Sequence, residues 1–294
     1  MNVPRWAIPL MIALVLGWGV NWPLMKRTLA EMPPLHFRTL CLGIGSIGVF
    51  AMAYASRLRI RVPAGAWPRL VLLAVLNFLV WNVTSAYGLR LLDSGRAAIL
   101  AYTMPLWSIL FSVWLLRERL TGRRLAALAV GLVGMLALLG GELNVAGRSP
   151  LGASLMIVAA IGWGLGIVVM KRWPIDLPAT SLTAWQMGIA AVPVVIGALV
   201  LEEGSFAPWS LSMPAALAAT YTVLVGYLFC QWAWVKLALA LPVAVSSLCT
   251  LAIPVVGVFS GMLLLGERPA GTDYIALILV SLALAMVLIQ PRRG

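Results

Sequence analysis

Charge is what this chain has least of. Asp and Glu number nine among 294 residues, Lys and Arg twenty-one, and charged residues make up 10 % of the whole. A soluble domain averages about 25 %. A chain this poor in charge cannot cover its surface with polar groups, so its expected solvent is lipid. There is one histidine, His36, and there are three cysteines, Cys41, Cys230 and Cys249. Their number is odd and their spacing suits no metal, so they read as small buried hydrophobes and no metal site is expected. His36 opens an apolar run and reads as an interfacial residue rather than a proton relay. The sequence carries no Gly-rich phosphate loop and no serine–histidine–acid cluster. That argues against ATP hydrolysis and covalent catalysis, so the chain is expected to be no enzyme and to need no cofactor.

What the chain has in abundance is apolar residues, at 62 %. A membrane span needs roughly 20 of them to cross about 30 Å of hydrocarbon, and only helices or closed barrels satisfy their backbones there. Residues 125–141 and 275–289 are continuously apolar rather than alternating, which favours helices. The net charge of +12 does not point to nucleic acid, because the basic residues are spread between apolar runs instead of forming a patch. Arg5 and the run after it superficially resemble a cleaved signal. That run, however, contains a motif that recurs in mid-chain, so it is assigned to the fold.

The recurrence is the strongest single signal. Gly17-Trp18-Gly19 followed by Met25-Lys26-Arg27 returns 145 positions later as Gly162-Trp163-Gly164 followed by Met170-Lys171-Arg172. Later in each half, Pro105 precedes Glu118-Arg119 and Pro254 precedes Glu267-Arg268, by thirteen residues each time. The chain therefore reads as a duplication, with units 1–145 and 146–294.

Ten spans are predicted: 6–28, 34–55, 66–89, 94–116, 123–141, 151–171, 179–201, 213–235, 242–265 and 272–289. With the N-terminus in the cytoplasm, inside segments hold fourteen of the twenty-one basic residues and outside segments the other seven, which favours both termini inside. Five spans per unit is an odd number, so the second unit must enter the membrane from the opposite side. The expected architecture is an all-α integral membrane protein of ten transmembrane helices, arranged as two inverted five-helix repeats.

The residues that reveal the repeat also carry a resemblance. The GWG…MKR pattern in the first span and the P…LLxER pattern ending the fourth, each present twice, resemble the EamA-type drug/metabolite transporter superfamily over nearly the whole chain. Within it, the Trp-rich first and sixth spans resemble bacterial exporters of aromatic and other neutral amino acids. The resemblance implies a ten-helix transporter of the bacterial inner membrane.

Transport requires polar or aromatic groups near mid-membrane, lined by helices of both halves. Candidate substrate-binding residues are Trp18, Asn21, Asn82, Tyr102, Trp163, Trp185 and Gln231. Buried amides in lipid either hold helices together or face a cavity. Deep indoles want an acceptor and can offer cation–π contact to an amine. Trp6, Trp67, Trp173 and Trp209 read as an interfacial belt. Pro105 and Pro254 lie inside spans and are candidate hinges or gates, or static kinks. Glu118-Arg119 and Glu267-Arg268 read as anchors of helix ends, with a gate latch as the alternative. No acidic residue falls clearly in mid-span, which argues against carboxylate-mediated proton coupling.

The expected function is export of amino acids or similar small metabolites by alternating access, as facilitated diffusion or weakly coupled flux. The alternative is export of drug-like amphiphiles or nucleosides by proton antiport. The expected partners are a small-molecule substrate and membrane lipid, not nucleic acid, and ten helices suffice for a pathway within one monomer. In sided vesicles, cysteines placed at Lys26 and Lys171 are expected to react with an impermeant maleimide from opposite faces. Labelling from one common face contradicts the inversion.

Overall fold

The computed structural model describes residues 6–118, 121–144, 149–203, 207–240 and 243–288. Helices are the only extended elements among them. In chain order they are α1 (Ala7–Leu29), α2 (Pro34–Ala55), α3 (Trp67–Leu91), α4 (Ser94–Leu116), α5 (Gly122–Asn144), α6 (Pro150–Arg172), α7 (Ala179–Leu201), α8 (residues 213–240), α9 (Val243–Leu265) and α10 (Gly271–Leu288). Seven of these, α1 to α4 and α6 to α8, are long and apolar enough to cross a membrane. Among the described residues α5, α9 and α10 contain shorter apolar stretches.

Local chemistry sets the helix ends. Pro34 and Pro150 occupy first positions, where a missing N–H costs nothing. Ser149 caps α6 by accepting from Gly152 N at 3.1 Å. Two other starts are capped from far along the chain. The Glu202 carboxylate accepts from Leu35 N at 2.8 Å and His36 N at 3.0 Å at the head of α2. The Glu267 carboxylate accepts from Ser94 N at 2.7 Å at the head of α4. Anions are stabilised there by the exposed N–H groups and the helix dipole.

The halves interlock rather than sit side by side. α2 packs along α7, and α5 along α10. α1 leaves its own half to pack on α8 and α9, and α6 reciprocally packs on α3 and α4. The duplicated Gly-Trp-Gly motif makes both crossings possible. A side chain at Gly17 would meet Val225, and one at Gly19 would meet Ile253 O at 3.3 Å. On the other side, a side chain at Gly162 would meet Val80 and Leu76 O, and one at Gly164 would meet Met104 O at 2.8 Å and Trp107. Small residues permit this approach where lipid offers no hydrophobic drive between helices. The middles of α3 and α8 are both wound as π-helix, at Ala74–Val80 and Thr222–Phe229. π-turns widen a helix and often lie at functional sites.

The structure adds to three readings of the sequence. Two of the basic residues counted with the outside segments, Arg38 and Arg96, are buried inside the bundle. His36 is buried at the head of α2 and paired with Glu202 at 3.0 Å. The two prolines do not act alike. Pro105 restarts α4 as a second helical piece, Met104–Leu116, after a turn at Tyr102 and Thr103, whereas Pro254 sits within an unbroken α9. Cys41 and Cys230 are buried free thiols; the side chain of Cys249 lies outside the described residues.

Gly164→Ala is expected to lower stability in detergent by about 1–3 kcal/mol, because a backbone carbonyl must move. Gly43→Ala, with open space around it, should be near neutral. Thermal unfolding of both variants checks this.

Candidate transport site

At the two crossings between the halves, amides face glycines. Asn21 of α1 is buried against Gly226 in the π segment of α8, its Nδ2 lying 3.1 Å from where a Cβ of Gly226 would stand. Asn77, in the π segment of α3, packs on Gly166 of α6, where any Cβ would overlap its amide. Asn21 and Gly166 are repeat mates 145 positions apart, and Asn77 and Gly226 are repeat mates 149 apart. The unlike pair Asn21 and Gly166 is thus matched across the molecule with large and small residues exchanged. Asn77 donates to Gln186 Oε1 at 3.0 Å. The amide oxygens of both Asn21 and Asn77 are buried and lack a partner among the described residues.

Around the Asn21 crossing, Trp18 Nε1 donates to Gly226 O at 3.1 Å and its ring rests on Trp234. Tyr227 OH meets the Asn82 amide oxygen, and Asn82 Nδ2 donates to Phe78 O at 2.8 Å. At the mate crossing Trp163 packs on Phe78 and Trp81. The sequence candidates Trp18, Asn21 and Asn82 therefore gather where α1, α3 and α8 meet, with Trp163 at the equivalent place. Tyr102 is buried at the break in α4, in the apolar cluster that Trp18 and Tyr227 pack against. Trp185 donates to Ile60 O at 2.8 Å and stacks on Phe50 and Trp67, so it ties α7 to the loop after α2. Gln231 lines a cavity of about 200 Å³ with Val49, Met52, Ser56, Thr180, Thr183, Trp232 and Lys236.

The duplicated charges meet across the halves. Lys26 binds Glu267 at 3.3 Å and Asp93 at 3.2 Å; Lys171 binds Glu118 at 2.6 Å. Asp93 precedes α4 and Glu118 follows it, so the two lysines sit at opposite ends of one helix. The ends differ. The Glu267 side chain is 8 % exposed and also accepts from Ser94 Oγ at 2.8 Å and Gly95 N, whereas Glu118 is 25 % exposed. Further bonds close the Lys26 end: the buried Arg96–Asp273 pair, Tyr87 OH donating to Glu202, and Ser212 donating to Glu31. The Ser212 hydroxyl and N–H hold the Glu31 carboxyl below the usual carboxylate range. At the Lys171 end lie the cavity and the exposed pair Arg59–Asp176.

A family description, EamA-like transporter family, matches residues 5–140 and 150–289. The chain belongs to this family. It is 27 % identical to the uncharacterized transporter YoaV of Bacillus subtilis, over 87 % of this chain and 88 % of that protein. It is 29 % identical to an S-adenosylmethionine/S-adenosylhomocysteine transporter of Chlamydia trachomatis, over 85 % and 79 %. It is 25 % identical to a probable amino-acid metabolite efflux pump of Escherichia coli, over 92 % and 91 %. A solved crystal structure, 22 % identical over 97 % of both chains, superposes with a TM-score of 0.68, a likeness of fold. The chain is a multi-pass membrane transporter of small metabolites, not an enzyme.

The site residues that sequence reasoning missed are Arg38, Tyr227 and the lysines. Arg38, near the start of the predicted span 34–55, entered the reading only as one of the basic residues counted outside. Lys26 and Lys171 were visible as repeats, but nothing in a sequence says that each pairs with the other half's glutamate.

Lys26→Met is expected to cost about 1–3 kcal/mol of stability, since it leaves a nearly buried carboxylate without its cation. Lys171→Met, at an exposed pair, should cost about 0–1 kcal/mol. Thermal melts of the two variants in detergent compare them.

Proposed function

We propose that this transporter exports amino acids, aromatic and other neutral ones among them, across a bacterial inner membrane by alternating access. Its ten helices form two inverted five-helix repeats, residues 1–145 and 146–294, with both termini in the cytoplasm and the pathway inside one monomer. The observation that carries this reading is the pair of repeat-related ion pairs at opposite ends of α4, one nearly dry and joined by further bonds, the other shorter but exposed. An inverted duplication gives one fold two states of similar energy, each closing one side. The Lys26–Glu267 contact closes one side here, while the cavity lies toward the other.

The substrate-binding group in this reading is Trp18, Asn21, Asn82 and Trp163 at the crossings, with Gln231 on the approach. Tyr102 and Trp185 support it from the α4 break and the α2–α7 side, and Pro105 and Pro254 flank the moving ends. Relatives named for amino-acid metabolites and for S-adenosylmethionine, itself an amino-acid derivative, support the cargo class. Weak coupling to protons is supported by the buried acids, since Glu202, Glu267 and Asp273 lie at helix ends against N–H groups or arginine rather than in mid-span.

The test uses proteoliposomes. Flux of labelled neutral amino acids is expected and should be little changed by an imposed pH gradient; strong acceleration, or flux of dyes and nucleosides instead, favours proton antiport of other cargo. Cysteine pairs at Lys26 and Glu267, and at Lys171 and Glu118, joined by a short cleavable cross-linker, should each stop flux, and cleavage should restore it. Wild-type flux through a protein locked at either end refutes alternating access.

A further inference from the structure

We propose that Arg38 and Asn21 form a subsite for the charged head of an α-amino acid, the guanidinium taking the carboxylate and the Asn21 amide oxygen the ammonium. The inference rests on the amino-acid reading above and assigns that cargo to a pair of residues.

Arg38 is 1 % exposed. Its Nε donates to Asn82 O at 3.1 Å, Nη1 to Tyr227 OH at 3.0 Å and toward Met25 Sδ at 3.5 Å, and Nη2 to Ser85 Oγ at 3.0 Å. Every one of these partners is neutral. The other deeply buried arginine described, Arg96, has its carboxylate in Asp273. A cation sealed from water without an anion is costly, and in a membrane bundle it marks a ligand or ion path. The planar fork of a guanidinium fits a carboxylate through two parallel hydrogen bonds. A carboxylate arriving here supplies the missing charge and takes over donors now spent on a hydroxyl and a thioether.

Asn21 provides the opposite pole. It is 6 % exposed, and its amide oxygen is an acceptor without a partner among the described residues. Two chains of contact place it beside Arg38. Met25, which touches the guanidinium, lies one turn beyond Asn21 on the same face of α1. Gly226, which touches Asn21, precedes Tyr227, which holds Arg38. Met25 and Tyr227, which both touch the guanidinium, thus each stand within one turn of a residue at the Asn21 amide. A zwitterion whose ammonium and carboxylate share one carbon offers a hydrogen bond to each of the two poles.

An approach is present as well. Gln231 lines the cavity and lies one turn beyond Tyr227 on α8. A carboxylate moving along α8 from the cavity meets the Tyr227 hydroxyl at the guanidinium and displaces it.

The experiment uses purified full-length protein, with thermal stabilisation in detergent and counterflow in proteoliposomes as readouts. The probes are leucine, leucine methyl ester, which lacks the carboxylate, and isopentylamine, which lacks the carboxyl group altogether. Wild type should bind leucine at least about tenfold more tightly than either analogue. Arg38→Gln should lose that preference, with its weak response to isopentylamine unchanged. Asn21→Leu should weaken leucine and isopentylamine alike. Leucine binding by Arg38→Gln at wild-type strength, or equal binding of leucine and its ester by wild type, overturns the subsite while leaving the amino-acid reading intact. If wild type responds to no amino acid, both fall. Should Arg38→Gln fail to fold, the comparison of leucine with its ester in wild type decides.

Discussion

Helices in lipid gain little by burying apolar surface against each other, since the surrounding acyl chains are equally apolar. What holds them is close contact and the few polar groups that close contact brings together. In this transporter that constraint falls on the Gly-Trp-Gly motifs of α1 and α6. Their glycines let each helix lie against the backbone of the opposite half, at Ile253 O for α1 and at Met104 O for α6. Much of the site follows from those two crossings. Trp18 reaches Gly226 O because the glycines beside it let α8 in. The lysines at positions 26 and 171 stand two turns further along, where they meet glutamates of the opposite half.

Charge is rationed in the same way. The three buried acids near the Lys26 end each have donors: helix N–H groups for Glu202 and Glu267, and Arg96 for Asp273. Such placement offsets desolvation. Of the two buried arginines described, Arg38 is the one whose partners are all neutral dipoles. That contrast separates charges that build the end of the bundle from one kept in its interior.

Much of the fold was legible in the sequence because helix ends and apolar length are local properties. The predicted boundaries at 34–55, 94–116 and 179–201 coincide with the helices. The repeat was legible because both copies kept their glycines and charges. Contacts between the halves were not. Duplication reveals which positions are equivalent, not which touch, so Lys26 and Glu267 gave two separate signals for one bond. Arg38 was hidden by its place near a span end, where an arginine ordinarily reaches toward the interface. The π segments were hidden because nothing in Ala74–Val80 or Thr222–Phe229 departs from helical composition. The direction of Trp185 was hidden because depth in a span says nothing of it; its indole turns back to Ile60 O.

The exchanged amides carry a consequence for ancestry. A first half paired with a copy of itself would press asparagine on asparagine at both crossings, one at the Asn21 position and one at the Asn77 position. A second half paired likewise would set Gly166 against Gly226 and leave a void. At these crossings each half is shaped to fit its sister rather than itself. The covalent link between them holds the unlike halves at high effective concentration and so favours the matched pairing over self-matched ones.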